Sequence, residues 1–130
     1  MLKPEELSIG DWVKILDYHW DGSPYVGRVS GITKRHGICY LQFGSALSAD
    51  IDRCEPISIT PEILVRNGFK EEDDDCYLWN ESFERVIWFC DGATTITSIR
   101  DDMVFEGHCC DVHELQHALR LCGITKEIEP

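Results

Sequence analysis

The chain has 130 residues, 43% of them hydrophobic, and a net charge of −12. This composition is that of a folded domain, and no apolar run approaches the roughly 18 residues that a membrane-spanning helix needs. Because so acidic a chain lacks the clustered lysine and arginine that nucleic-acid phosphates require, we expect neither a membrane nor a nucleic acid as its partner.

The seven cysteines indicate the redox compartment. Their number is odd, no two are spaced as C-x-x-C, and the N-terminus has no apolar segment like that of a secretory signal. We therefore predict reduced thiols and a cytoplasmic location.

Residues 1–59 have the pattern of a small curled β-subdomain. A turn at Gly10-Asp11 leads into the first strand, and Gly27 and Gly31 in the second strand indicate β-bulges or tight bending. We expect further strands at 25–32, 38–43 and 51–57, with a polar loop at 44–50. Several short strands with glycine turns are typical of an SH3-like barrel.

A short linking helix follows, within the segment 55–69. Thr60 is the expected N-cap, and Pro61 stands at the first helical position, where an N–H is not needed. Gly68 can take the left-handed conformation that ends a helix, with Phe69 packing back on it.

Residues 60–130 are predicted to contain this helix, an antiparallel sheet and a closing helix. We expect the acids 71–75 to form a solvated loop, strands at 76–79, 83–89, 94–99 and 103–105, and a turn at Asp91-Gly92. The strand at 83–89 is apolar on both faces, which predicts a central position in the sheet.

The closing helix is predicted over 112–122, with an apolar stripe that packs on the sheet. Asp111 is the expected N-cap, Glu114 completes a capping box, and Gly123 ends the helix. We expect the tail 125–130 to be frayed.

A catalytic motif lies in this helix, because residues 113–117 match H-E-x-x-H. In that motif two histidines one turn apart hold zinc, and the glutamate acts as general base on the bound water. A third ligand is needed, and Glu127 and Glu129 are the candidates, although they lie in a short tail beyond the end of the helix. We favour a capped helix with two exposed histidines. The alternative is a minimal zinc hydrolase in which His113 and His117 hold the metal and Glu114 is the base.

The neighbouring triplet His108-Cys109-Cys110 is compatible with a metal cluster or a Cys–His nucleophile. Vicinal cysteines rarely coordinate one ion together, and cysteines at the end of a strand are more often small core residues. We favour the core interpretation, and we expect no cofactor.

The acidic charge is concentrated in the second half. Residues 60–130 carry 16 acidic and 6 basic side chains, a net charge of −10, whereas residues 1–59 carry 8 and 6, a net charge of −2. This imbalance suits a partner protein with a basic surface, and Glu71, Asp73 and Asp75 are the candidate contacts. The alternative is that the acids simply keep a small protein soluble.

Aromatic residues interleaved with bases in the first half form a second candidate surface. Trp20 and Tyr25 are the candidate contacts there. Such residues can form a groove for a peptide or a stacking platform for single-stranded nucleic acid. Core packing explains most aromatics in a small barrel, so this surface ranks below the acidic one.

Three segments resemble a family of small uncharacterised proteins encoded by gut bacteria and by their phages and mobile elements. They are residues 2–13, 55–69 and 112–116, and they occur in the same order over most of the chain. The family's helix pattern looks like Val-His-(Gln or Glu)-Leu-Gln, so the resemblance implies that His117 is an individual substitution. It implies no catalytic residues, and it suggests an accessory protein of a phage or mobile element.

These observations predict an α+β protein with an SH3-like curled β-subdomain (1–59), a short linking helix, and a second antiparallel sheet with a C-terminal helix packed on it (60–130). We expect the two parts to form one compact unit. The expected function is a non-enzymatic accessory or inhibitory module that acts through protein–protein contacts.

Overall fold

The computed structural model describes residues 2–16, 25–32, 37–42, 45–82, 85–98 and 103–130. Within these residues the fold is α+β, as predicted, with two five-stranded antiparallel sheets and two α-helices. The chain divides into two units, Met1–Ile57 and Ser58–Pro130. The sequence had placed this boundary two residues later.

The first unit contains one sheet with the strand order β4-β3-β2-β1-β5. Its strands are β1 (Trp12–Ile15), β2 (Tyr25–Ile32), β3 (Gly37–Gln42), β4 (Ser45–Asp50) and β5 (Cys54–Glu55). Short 3-10 helices at Pro4–Glu6 and Ile51–Arg53 precede β1 and β5. A four-strand meander whose fifth strand returns to pair with the first is SH3-like connectivity, as predicted.

Two local predictions in this unit are wrong. The expected loop at 44–50 contains β4, whose small and polar residues pair with β3 along six positions. The expected strand at 51–57 is a 3-10 helix followed by the two-residue β5. At 44–50 pairing with β3 outweighs the low strand propensity of the small and polar residues.

The core of this unit is built on the inward-facing residues of β1. Val13 and Ile15 are fully buried, and Tyr25 packs against the same cluster while remaining half-exposed. The register between β2 and β3 shifts between Val29 and Gly31, which confirms the predicted bulge. The buried cluster consists of Leu2, Leu7, Val13, Ile15, Val29, Ala49, Ile51 and Cys54.

The second unit contains a sheet with the strand order β10-β9-β8-β7-β6. Its strands are β6 (Lys70–Asp73), β7 (Cys76–Ser82), β8 (Arg85–Cys90), β9 (Ala93–Ser98) and β10 (Met103–His108). β8 is central, as predicted. Asp91 and Gly92 have φ of 47° and 89° and join β8 to β9, which confirms the predicted Asp-Gly turn.

Helix α1 (Pro61–Arg66) has the ends that the sequence predicted. The Thr60 hydroxyl accepts a hydrogen bond from the Ile63 amide at 3.3 Å, and Pro61 occupies the first turn. Gly68 has φ of 90°, and the Phe69 amide donates to the Leu64 carbonyl, as in a Schellman ending.

Helix α2 (Val112–Leu121) packs on the sheet through its predicted apolar stripe. Val112, Leu115 and Leu119 are almost completely buried. Asp111 stands at the N-cap, but its side chain makes no capping hydrogen bond, so that part of the predicted capping box is wrong.

The C-terminal tail is ordered by two side-chain amides, and the predicted fraying is wrong. Ile124 and Ile128 are each only 1% exposed. Gln116 donates to the Lys126 carbonyl at 2.9 Å and accepts from the Ile128 amide at 2.7 Å. Asn67 binds the backbone of Glu129 in the same two-sided way.

Among the residues that the structure describes, neither helix combines the length and the apolar character needed to cross a bilayer.

Candidate functional site

The acidic run 71–75 lies on a β-hairpin of the second unit, not in the predicted loop. β6 and β7 pair at Glu71↔Tyr77 and Asp73↔Cys76, with a register shift between these pairs. All four residues of β6 are exposed, and it stands at one end of the strand order. An edge strand exposed on both faces needs no apolar residue, which is why an all-polar segment can form it.

Three carboxylates act on the buried phenol of Tyr77, which lies on β7 of this hairpin. Burial raises the pKa of Tyr77 above its ordinary 10.0, and the charges of Glu71, Asp75 and Glu62 raise that pKa further. Three acids that each disfavour the phenolate define a negative potential on this side of the second unit. Two of the predicted contacts, Glu71 and Asp75, therefore act on the same phenol as Glu62 of α1, and the third, Asp73, lies on the exposed strand β6.

A second tight turn lies next to the tip of the hairpin. The Asp91 amide donates to the Asp75 carbonyl at 3.3 Å, and both aspartates have positive φ. Both also line a cavity of about 260 Å³, together with Tyr77, Phe89 and residues 108–110. Because the walls of this cavity come from four separate segments, no local sequence pattern indicates it.

A thiol and an imidazole meet at this cavity. Cys110 Sγ lies 3.3 Å from His108 Nδ1, and both side chains are exposed. The His108 ring approaches Gly92 so closely that a β-carbon there would overlap it. Cys109, by contrast, is buried, and burial raises the pKa of its thiol. The predicted core role is confirmed for Cys109 and wrong for Cys110.

The expectation of reduced thiols is wrong at one pair. Cys76 and Cys90 face each other across β7 and β8 and form a disulfide, with their Cα atoms 4.2 Å apart. Residues opposite each other in a non-hydrogen-bonded antiparallel pair come this close. The sequence could not reveal the pairing, because it depends on the register of the two strands.

The H-E-x-x-H residues lie on α2, but one histidine points into the core. His113 is only 4% exposed, so the prediction of two exposed histidines is wrong for it. Its Nδ1 is buried without a hydrogen-bond partner, and its ring meets that of His117 edge-on at 5.7 Å. Glu114 is half-exposed. Within the described residues, no group of three histidine, cysteine or acidic side chains is arranged to hold a metal ion.

The aromatic candidates belong to the first unit. Tyr25 packs against the core of that unit, and Trp20 lies outside the described residues. The Arg28 guanidinium lies 5.5 Å from the centroid of the Trp12 ring, so this base is engaged within the unit.

Comparison of the chain with protein-family models, with curated proteins and with solved structures finds no match.

Proposed function

We propose that this chain is a binding module without enzymatic activity, and that it docks a basic segment of a partner protein on the β6–β7 hairpin. The observation that carries the proposal is the exposed end strand β6, which bears three consecutive carboxylates, Glu71 to Asp73. Its outer side has no neighbouring strand among the described residues.

The end strand suits one kind of partner. An edge strand presents a row of backbone N–H and C=O groups to which an extended peptide can add as a further strand. Charged side chains on an edge normally discourage pairing with other chains, because a row of carboxylates repels an acidic segment and gains no compensating charge from a neutral one. A segment rich in lysine or arginine can pair with the backbone of β6 and form ion pairs with its carboxylates at the same time.

The surroundings of β6 strengthen this selection. Asp74 and Asp75 at the turn extend the row of acids, and Asp91 lies beside them. Residues 60–130 carry a net charge of −10, which steers a basic partner towards this unit before contact. The resemblance described above supports an accessory or inhibitory role for a phage or mobile element. We place the module in the cytoplasm, where a disulfide such as Cys76–Cys90 is transient rather than permanent.

The test is charge reversal on β6 alone. Glu71→Lys, Glu72→Lys and Asp73→Lys are combined, and Asp75 is left in place because lysine fits poorly at its φ of 60°. The matched control combines Glu5→Lys, Glu6→Lys and Asp52→Lys, which makes the same change of charge at exposed positions of the first unit.

Binding is measured by calorimetry with an extended synthetic peptide in which lysine alternates with threonine, and with its glutamate counterpart. We expect the lysine peptide to bind the wild type and the control, to weaken as salt rises, and to lose about tenfold in affinity on the β6 variant. Equal affinity for the β6 variant and the control would contradict the proposal.

A metal analysis distinguishes the zinc hydrolase alternative from the proposed binding function. His117→Ala is the variant to use, because His117 is less buried than His113 and its loss disturbs the core less. One equivalent of zinc in untagged protein that survives mild chelation and is lost in His117→Ala would favour the alternative.

A further inference from the structure

We propose that Cys110 is a site of reversible thiol–disulfide exchange, with His108 as its proton acceptor, and that the adjacent cavity selects small disulfides bearing a positively charged amine. This inference goes beyond the proposed binding function and does not depend on it.

The pair has the geometry that the exchange requires. Cys110 Sγ is exposed and lies 3.3 Å from His108 Nδ1, within the range of a sulfur hydrogen bond. A thiol becomes a nucleophile when a neighbouring base takes its proton. Gly92 fixes that base, since its φ of 89° and its missing side chain let the His108 ring lie directly on the turn.

The neighbouring thiol is built differently. Cys109 is 2% exposed, and burial raises the pKa of its thiol, so it stays protonated and out of reach. Two adjacent cysteines thus have opposite environments. The exchange is therefore assigned to Cys110 alone.

The reaction balances without a further reductant or oxidant. The Cys110 proton moves to His108 Nδ1, and the thiolate attacks one sulfur of the small disulfide. A Cys110 Sγ–S bond forms as the original S–S bond breaks, and the leaving thiolate takes the proton back from His108. The Cys110 sulfur is oxidised and the leaving sulfur is reduced.

The charge of the cavity sets the selectivity. Asp75 and Asp91 line the same cavity as His108 and Cys110, and the hydrogen bond from the Asp91 amide to the Asp75 carbonyl at 3.3 Å holds the two turns together. Two carboxylates attract an ammonium group and repel a carboxylate. The volume of about 260 Å³ admits a group of the size of aminoethanethiol, the half of cystamine that would be transferred.

The experiment compares two disulfides of opposite charge on the full chain. Native protein is treated with cystamine, which is cationic, or with dithiodipropionate, which is anionic, and adduct formation at Cys110 is followed by peptide mass spectrometry. Each rate is divided by the rate for the same protein in urea, which removes the intrinsic reactivity of each reagent. Cys110→Ser identifies the adduct, and His108→Asn removes the base while keeping a polar side chain of similar reach.

We expect the normalised rate to favour cystamine by about tenfold, and to lose most of that preference in high salt and in Asp91→Asn. Asparagine tolerates the positive φ at this turn, so that variant changes the charge alone. His108→Asn should slow both reagents by about tenfold or more. Equal normalised rates for the two reagents would overturn the selectivity, and an unchanged rate in His108→Asn would overturn the role of the base.

Discussion

Asn67 joins helix α1 to the C-terminal tail, and replacing it tests how the second unit is held together. Its side chain is 8% exposed. Nδ2 donates to the carbonyls of Ile63 at 2.7 Å and of Glu129 at 2.8 Å, and Oδ1 accepts from the Glu129 amide at 2.9 Å. The critical change is Asn67→Asp, which keeps the shape of the side chain and replaces a double donor with an oxygen.

The expected loss follows from these three contacts. A hydrogen bond contributes a net of about 0.5–1.5 kcal/mol, so Asn67→Ala should lower the free energy of unfolding by about 1.5–4.5 kcal/mol. In Asn67→Asp the new oxygen faces two carbonyl oxygens, and a charge is buried beside them. We therefore expect Asn67→Asp to be at least as destabilising as Asn67→Ala at neutral pH, although it removes fewer atoms.

Lowering the pH should partly restore the stability of Asn67→Asp. Burial beside carbonyl oxygens raises the folded-state pKa of the new carboxyl above its unfolded value of about 3.9. A raised folded-state pKa means that the variant is relatively most stable below the unfolded pKa and loses stability as the pH rises through the folded one. The difference between the wild type and Asn67→Asp should therefore shrink as the pH falls towards about 4.

The assay is urea unfolding combined with amide hydrogen exchange of residues 124–129. Hydrogen exchange is added because the chain divides into two units, and it reports on the second unit directly whereas a single global midpoint does not. The matched control is Asn80→Asp, which makes the same chemical change at an exposed asparagine and should cost no more than about 0.5 kcal/mol. Equal losses for the two variants, or unchanged exchange of the tail in Asn67→Asp, would refute this reasoning.

Two further outcomes follow from the same unit. The folded-state pKa of Tyr77 lies above 10.0, so the protein loses stability as the pH rises past that value. Tyr77→Phe should remove part of this alkaline loss in urea unfolding. Glu71→Gln should lower the pKa of the phenol in an ultraviolet titration. A pH dependence identical in Tyr77→Phe and wild type would speak against this. Because Cys76 and Cys90 are paired, the oxidised protein unfolded without reductant should titrate no more than five of its seven cysteines as thiols. Cys76→Ser should add one thiol, that of Cys90. Seven thiols before reduction would mean that the pair is open.

The features that the sequence predicted correctly depend on neighbours within a few residues. The cap at Thr60, the helix end at Gly68 and the Asp91-Gly92 turn each follow from local backbone chemistry. The central position of β8 agrees with its apolar composition, although its Trp88 remains 37% exposed. Such signals persist whatever the rest of the chain does.

The features that the sequence missed depend on distant partners. The tail was expected to fray because nothing near it offers a partner, yet Asn67 binds Glu129 from 62 residues away. Ile124 and Ile128 are four residues apart, but they lie on a segment without regular secondary structure. Their spacing therefore does not follow the period of a helix or strand and does not predict their burial. The burial of His113 likewise depends on which side of α2 meets the sheet, and that angle is not encoded in the motif.

The charge at the two turns beside the cavity is not required by the fold. Positions 75 and 91 have φ of 60° and 47°, and asparagine or glycine would satisfy that conformation as well as aspartate does. Aspartate adds a negative charge at each turn, and the charge at position 75 raises the pKa of the neighbouring Tyr77 phenol. Like charges brought together cost stability unless something outside the fold uses them. Both proposals supply such a use: a basic segment on β6, and a cationic disulfide at Cys110. The substitution of asparagine for aspartate at these turns therefore separates charge from backbone geometry, which makes it the most informative change at this site.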